Sequence, residues 1–364
     1  MSHAKLSASS SHRWMECSAS VHYCEQLELD GLLPYQDTKF ADEGTLAHEL
    51  AAACLESGEN FHKMGNGDAE MGAYIQVYLD YINTIANRCH WYRIEERLDF
   101  SDYVPDGFGT ADFIGLEDKT CHVADLKYGL GILVSAGSSD EPNPQLAMYG
   151  LGMIQEYDWL GDIDEFVFHV VQPRRDSIST VTLTREQMEA FGEKVKVAAA
   201  AVEHAPRFVP GEKQCQFCPG KQVCRTRIEQ TLSLFKNMDE IPMSDEEIAQ
   251  ALLQVPQVKK VCADLENYAE GMAKVGKVLP GFKLVQARTQ RKWNGSAAEV
   301  VEKLVGEKGF EKKLLGIPAI EKLLGDKKVL LAEVIDKPVG SLVLAPMEDP
   351  RPAAEVNQTF TKQP

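Results

Sequence analysis

Within GTADFIGLEDKTCHVADLKYG, residues 109–129, three side chains are of types that do chemistry together: Asp112, Asp125 and Lys127. In an extended chain, residues two apart share a face. Asp125 and Lys127 therefore project together while Ala124, Leu126 and Tyr128 face the other way. Glu117-Asp118-Lys119 reads as a hairpin turn, and pairing around it sets Asp112 near Asp125 across the ladder. Two carboxylates that close repel each other unless a cation lies between them. A hard divalent ion with oxygen ligands, Mg²⁺ or Mn²⁺, is the natural occupant. A lysine beside such an ion can hold a water and, as the neutral amine, take its proton, a combination suited to phosphodiester hydrolysis. The plain alternative is a surface strand whose Asp and Lys pair in solution.

The elements that must position these residues can be read from periodicity. TKFADEGTLAHELAAACLES (38–57) reads as a helix with acidic residues in its first turn, and MGAYIQVYLDYINTIANRC (71–89) as a second. In the latter, Tyr74, Val77, Tyr78, Tyr81 and Ile82 recur at helical spacing, an arrangement that suits core packing. Residues 91–100, 106–117 and 120–129 have strand character. A loop over 129–144 leads to a helix over 143–161, strands over 165–174 and 177–184, and a helix over 185–206 that opens on a capping-box pattern. The order α, α, β, β, β, α, β, β, α predicts an α/β or α+β fold with a mixed central sheet flanked by helices. Further on, a helix is predicted over 243–276, then a short β-like pair, FKLVQA and RKW, and shorter helices with a Pro-rich tail. The expected division is a core over 1–230 and a mainly helical C-terminal region over 243–364.

With 364 residues, one large or two ordinary domains are expected. The formal charge of −17, from 38 Lys and Arg against 55 Asp and Glu, argues against a surface coated in phosphate contacts. It leaves room for a local basic groove. Positive residues do cluster: Lys213, Lys221, Arg225 and Arg227; Arg174 and Arg175; Arg288, Arg291 and Lys292. Such clusters are most often solvated faces. No apolar run is long enough to span a bilayer and MSHAKLSASSSHRW lacks the apolar centre of a secretory signal, so a cytoplasmic protein with no membrane partner is expected.

Nine cysteines are present, of which Cys215, Cys218 and Cys224 form C-x₂-C-x₅-C in KQCQFCPGKQVCRTR. In a reducing compartment a bunched set points to a metal rather than disulfides, and three thiolates leave a tetrahedral site one ligand short. Cys54, Cys89, Cys121 and Cys262 read as buried or inert thiols.

Taken in order, His48 in GTLAHEL, Gly109 to Asp112 in GTAD, Asp125-Leu126-Lys127, and Gln145 to Tyr149 in QLAMY resemble the RecB-like branch of the PD-(D/E)XK nuclease superfamily. The resemblance covers residues 1 to about 228 and implies a restriction-endonuclease-like core. It implies metal ligation by His48, Asp112, Asp125 and the backbone carbonyl of Leu126, with Lys127 as the catalytic lysine. Gln145 and Tyr149, one helical turn apart, would face the same cleft and touch the DNA or the lysine. Glu96 is a further carboxylate to consider, although the pattern does not require it.

A subset of these nucleases closes a [4Fe–4S] cluster with one cysteine before the core and three after it. Cys17 in HRWMECSAS is the matching first ligand, Cys24 the runner-up, and zinc the alternative to the cluster. The whole chain also resembles an uncharacterised phage-encoded family of this length, with GFKLVQARTQRKW as a signature. The implied function is a Mg²⁺- or Mn²⁺-dependent deoxyribonuclease, an exonuclease before an endonuclease, in phage DNA recombination, repair or replication. It would act on linear DNA ends in the cytoplasm of a bacterial host, with a single-strand annealing or single-strand-binding protein as a possible partner and an oligomer possible. The alternative is a catalytically silent iron–sulfur DNA-binding or scaffold protein.

Overall fold

The computed structural model describes residues 4–33, 39–59, 61, 69–233, 245–277, 279–285, 297–305, 316–317 and 320. The described helices are α1 (Ser11–Trp14), α2 (Ser20–Leu29), α3 (Lys39–Ser57), α4 (Ala69–Ala86), α5 (Pro144–Tyr157), α6 (Arg185–His204), α7 (Glu212–Gln216), α8 (Arg225–Ser233), α9 (Asp245–Lys274) and α10 (Ala297–Val305). The strands are β1 (Trp91–Asp99), β2 (Phe108–Glu117), β3 (Thr120–Leu126), β4 (Glu165–Gln172) and β5 (Ser177–Thr184). The fold is α/β, with a mixed five-stranded sheet in the order β1-β2-β3-β4-β5. Three neighbouring pairs are antiparallel, and β3 runs parallel to β4. A parallel pair cannot be joined by a tight turn, and here α5 lies in the crossover between the two strands.

Helices cover both faces, so the sheet is buried twice. On one face Trp14 of α1 and residues of α5 and α6, among them Met148, Leu151, Met188 and Val195, pack with Leu98, Ile114, Val123 and Phe168. On the other, Ala47 and Ala51 of α3 and Ile75, Leu79 and Ile82 of α4 pack with Phe113, Ala124, Leu126 and Val171. The helix ends follow local chemistry. Thr184 Oγ1 accepts from the Gln187 amide at 3.3 Å while Gln187 Oε1 accepts from the Thr184 amide at 2.9 Å, completing the capping box at the start of α6.

The sheet carries one irregularity that matters below. Ile94 and Leu98 of β1 are four apart and should share a face, yet they lie in opposite cores. On β2 the same is true of Ala111 and Phe113, which are two apart. Ile94 pairs with Phe113 and Glu96 with Ala111, so Glu95 stands opposite Asp112 at the point where both strands change phase. Glu95 has φ +50°, a left-handed conformation uncommon for a residue with a long side chain.

The chain divides into two compact units, residues 1–284 and 285–364. Helix α9, assigned from sequence to the C-terminal region, packs within the first unit, where Arg227 Nη2 of α8 meets Asp264 Oδ2 at 2.7 Å. Of the expected β-like pair, 282–285 form no strand, and RKW lies outside the described residues together with Arg288, Arg291 and Lys292. Four short helices, α1, α2, α7 and α8, stand where periodicity gave no helix. Among the described residues no helix is long and apolar enough to cross a membrane.

Candidate functional site

The β2–β3 ladder runs from Glu117–Thr120 to Phe113–Ala124 and then stops. One step further, at the level of Asp112 and Asp125, a carboxylate takes over: Asp112 Oδ2 accepts from the Leu126 amide at 2.7 Å. Its other oxygen, Oδ1, lies 3.2 Å from Nδ1 of His48 on α3. Asp125 is 3% exposed, on the face covered by α5. Lys127 Nζ lies 2.9 Å from Asp125 Oδ2.

Gln145 closes the group from α5. Asn143 caps that helix, its Oδ1 accepting from the Gln145 amide at 3.0 Å, and Pro144 occupies the first turn where a missing N–H costs nothing. The cap sets Gln145 over β3, where Oε1 accepts from Lys127 Nζ at 3.0 Å. Gln145 Nε2 donates to Asp125 Oδ1 at 3.0 Å and to the Tyr149 hydroxyl at 3.2 Å. Gly109 makes room for that tyrosine, since a Cβ there would come within 2.8 Å of Tyr149 Cε1. His48, Asp112, Asp125, Lys127, Gln145 and Tyr149 thus meet at one end of β3.

Electrostatics follow from this crowding. Burial is the largest influence on His48 and by itself lowers its pKa, but Asp112 and then Asp125 outweigh it and raise the imidazole to about 9. Burial likewise pushes the Asp125 carboxyl up, against the pull of Lys127 and with the repulsion of Asp112. Lys127 is buried too, but its two carboxylate neighbours hold it above the ordinary lysine value. Asp125 Oδ2 is buried and its close partner is the Lys127 ammonium at 2.9 Å. Two crowded carboxylates beside an imidazole fit a divalent cation.

Glu96 is not part of this group. It lies on the α5 side of the sheet, where its Oε1 accepts the Tyr157 hydroxyl at 2.6 Å. The preceding residue, Glu95, is the one that reaches the site: ligand atoms of His48, Glu95 and Asp112 all lie within 4.8 Å of one another. These three line a pocket with Ala51, Ala52, Leu55, Tyr78 and Leu126. Alternation counted back from Glu96 and Leu98 puts Glu95 on the α3 face, whereas counted on from Ile94 it does not, so the phase change hides its side from a period-two reading.

A second cluster forms where the N-terminal arm meets the segment after α6. Cys17, Cys215, Cys218 and Cys224 line one cavity together with Ser20, Tyr23, Phe208, Pro210, Gln214 and Lys221. The Val209 amide donates to Cys17 Sγ and the Gly211 amide to Cys215 Sγ, each at 3.4 Å. The arm is tied down nearby: the Ala19 amide donates to the Arg207 carbonyl at 3.1 Å, and the Arg207 amide to Ser18 Oγ at 2.9 Å. Cys24 sits beside the cavity with its Sγ 3.9 Å from that of Cys218. All nine cysteines are free thiols. Cys54 and Cys121 are buried, whereas Cys262, expected among the inert thiols, is exposed.

Several of the basic side chains are engaged internally. Arg174 pairs with Glu43 at 3.1 Å, Arg175 donates to the Leu130 carbonyl at 2.7 Å, and Lys221 donates to the Gln216 carbonyl at 2.7 Å.

Residues 3–352 match the family model described as Protein of unknown function (DUF2800), and the chain belongs to that family. Among solved structures, the chain is similar to the one titled "Crystal structure of SSO0001", at 12% identity over 62% of this chain and 88% of that one. The TM-score of 0.28 is too low for the likeness to carry any argument.

Proposed function

We propose that this member of the DUF2800 family is a divalent-metal-dependent deoxyribonuclease. The observation that supports the reading most directly is the convergence of Asp112, Asp125, Lys127 and Gln145 at the end of one ladder, with His48 against Asp112. His48, Asp112, Asp125 and the Leu126 carbonyl would hold Mg²⁺ or Mn²⁺. When bound, the ion supplies Lewis acidity to a phosphoryl oxygen. Lys127 orients the attacking water and takes its proton, a step that requires the lysine to shed the charge it keeps beside Asp125. Gln145 holds the ammonium in place, and Tyr149 holds Gln145. Cys17, Cys215, Cys218 and Cys224 would carry a [4Fe–4S] cluster that staples the N-terminal arm to the segment after α6. Zinc is the alternative occupant, since four thiolates suit either. An exonuclease of phage recombination, repair or replication is the form suggested by the sequence resemblance.

The test is degradation of end-labelled single- and double-stranded linear DNA with Mg²⁺ or Mn²⁺. Wild type should degrade at least one substrate, Lys127→Ala should be slower by about 10²–10⁴-fold, and Asp125→Ala should be at least as impaired. Intact DNA with wild type, or equal cutting by the variants, rejects the assignment. A second reading, a catalytically silent iron–sulfur DNA-binding or scaffold protein, draws on the cysteine cavity alone. It is favoured if the purified protein is brown and binds DNA without cutting it.

A further inference from the structure

We infer that Glu95 is a ligand of the same divalent cation as His48 and Asp112, and that the Tyr78 hydroxyl donates a hydrogen bond into that cation's water shell. The inference rests on the metal-dependent reading above and changes its ligand set, adding a carboxylate from β1 that the motif pattern does not contain.

Three observations carry it. The first is geometric: a ligand atom each of His48, Glu95 and Asp112 lies within 4.8 Å of the others. Opposite ligands on Mg²⁺ or Mn²⁺ are about 4.2 Å apart, from bonds of about 2.1 Å, so small side-chain shifts close the set. Asp125 does not join that compact trio; Lys127 and Gln145 hold it from the other side.

The second is conformational. Glu95 keeps φ +50° in the middle of a strand, at the phase change that turns it toward Asp112 rather than away. A left-handed backbone at a residue other than glycine is strained and persists only where the surroundings impose it. Without a cation, the outcome of that strain is a carboxylate facing another carboxylate. With one, the same arrangement becomes a chelate.

The third is a hydroxyl with nothing to bond. Tyr78 lines the same pocket, is 1% exposed, and its hydroxyl makes no hydrogen bond. A buried tyrosine hydroxyl normally finds a partner, because leaving a donor unmet costs about 1–3 kcal/mol. Its neighbours in the pocket are the acidic ligands themselves and apolar side chains of α3. Mg²⁺ and Mn²⁺ keep several waters when bound by few protein groups, and such a water supplies the missing acceptor.

Mn²⁺ binding to the full-length protein, followed by the loss of the free-ion paramagnetic resonance signal, tests the inference without relying on activity. Wild type should bind Mn²⁺. Glu95→Gln should weaken binding by about tenfold or more, equivalent to about 1.4 kcal/mol. Tyr78→Phe should weaken it by a smaller factor at unchanged stoichiometry. Glu95→Ala gives an independent reading, since truncation at an exposed position leaves no cavity to upset folding. If the Glu95 variants bind as wild type does while Asp112→Asn binds weakly, the Glu95 assignment is overturned and the metal reading stands. If wild type takes up no Mn²⁺, both are overturned.

Discussion

The carboxylate site and the cysteine cavity are built on opposite principles. At the carboxylate site, positions descend from backbone register: Asp112 and Asp125 meet because β2 and β3 pair around a short turn, and Asn143 sets Gln145 over them. At the cysteine cavity, Cys17 lies just after the four-residue α1, Cys215 lies in the five-residue α7, and Cys218 and Cys224 lie in turns. Helices that short have no stability of their own. A sheet-built site holds its geometry without its ion, whereas sulfurs on short segments need a central binder to hold them together. One region should therefore tolerate loss of its ligand and the other should not.

The largest expected effect is at the cavity. Cys218→Ser should lose absorbance near 400 nm and lower the thermal midpoint by at least about 5 °C, the response to a destabilisation of about 2 kcal/mol in a unit of this size. Limited proteolysis should cut first in the arm before residue 31. Asp125→Asn, by contrast, should leave the midpoint unchanged or higher, because it removes a buried charge and its repulsion with Asp112, which together outweigh the lost pull of Lys127. A stable Cys218→Ser, or an unstable Asp125→Asn, would break the contrast.

An intermediate effect is expected at Gly109. A Cβ there would press on the Tyr149 ring at 2.8 Å and also meet the Ala8 Cβ at 3.3 Å. Gly109→Ala should cost about 1–3 kcal/mol in denaturant unfolding, as overpacking does, and should loosen Gln145 through Tyr149. A cost near zero would show that Tyr149 can move freely, and would weaken the view that the sheet alone holds the site.

The gentlest probe is acid. On the α3–α4 face, His122 Nδ1 lies 3.1 Å from His169 Nε2, His169 Nδ1 lies 2.9 Å from the Tyr81 hydroxyl, and His122 Nε2 lies 3.1 Å from Glu117 Oε2. Burial, with His122 beside it, pushes His169 down to about 3, and burial also lowers His122. The unfolded chain protonates these imidazoles near the usual pKa of 6.5 and the folded one does so only at lower pH. Stability is therefore full above pH 6.5 and falls as the pH drops toward 3, by up to about 1.4 kcal/mol per pH unit for each proton. Urea midpoints measured from pH 7 to pH 4 should show the slope, and His169→Gln should flatten it. A slope unchanged in that variant would place the acid sensitivity elsewhere.

Much of this was legible from the residues, for physical reasons that also mark where legibility stops. The hairpin and the capped helix obey local rules, so Asp112, Asp125, Lys127 and Gln145 could be placed before any coordinates. Glu95 could not: its face depends on two strands changing phase together, which a period-two reading takes as impossible. Tyr78 was legible as core packing, but its unpartnered hydroxyl was not. Helix α1 gave no periodic signal because its stability is tertiary, with Trp14 fully buried and its Nε1 donating to the Ser7 carbonyl at 3.1 Å. The same holds for α7, five residues long and set by its surroundings.

The cavity also imposes an order on biosynthesis. Cys17 and Cys224 are 207 positions apart (224 − 17), yet they line the same space. Chains leave the ribosome at about 5–20 residues per second, so the first thiol waits roughly 10–40 s for the last to be made. During that interval the sheet, whose strands end at Thr184, can form and take Trp14 of the arm into its core while Cys17 still lacks its partners. A cluster of the kind proposed would therefore be assembled late, on a largely folded chain.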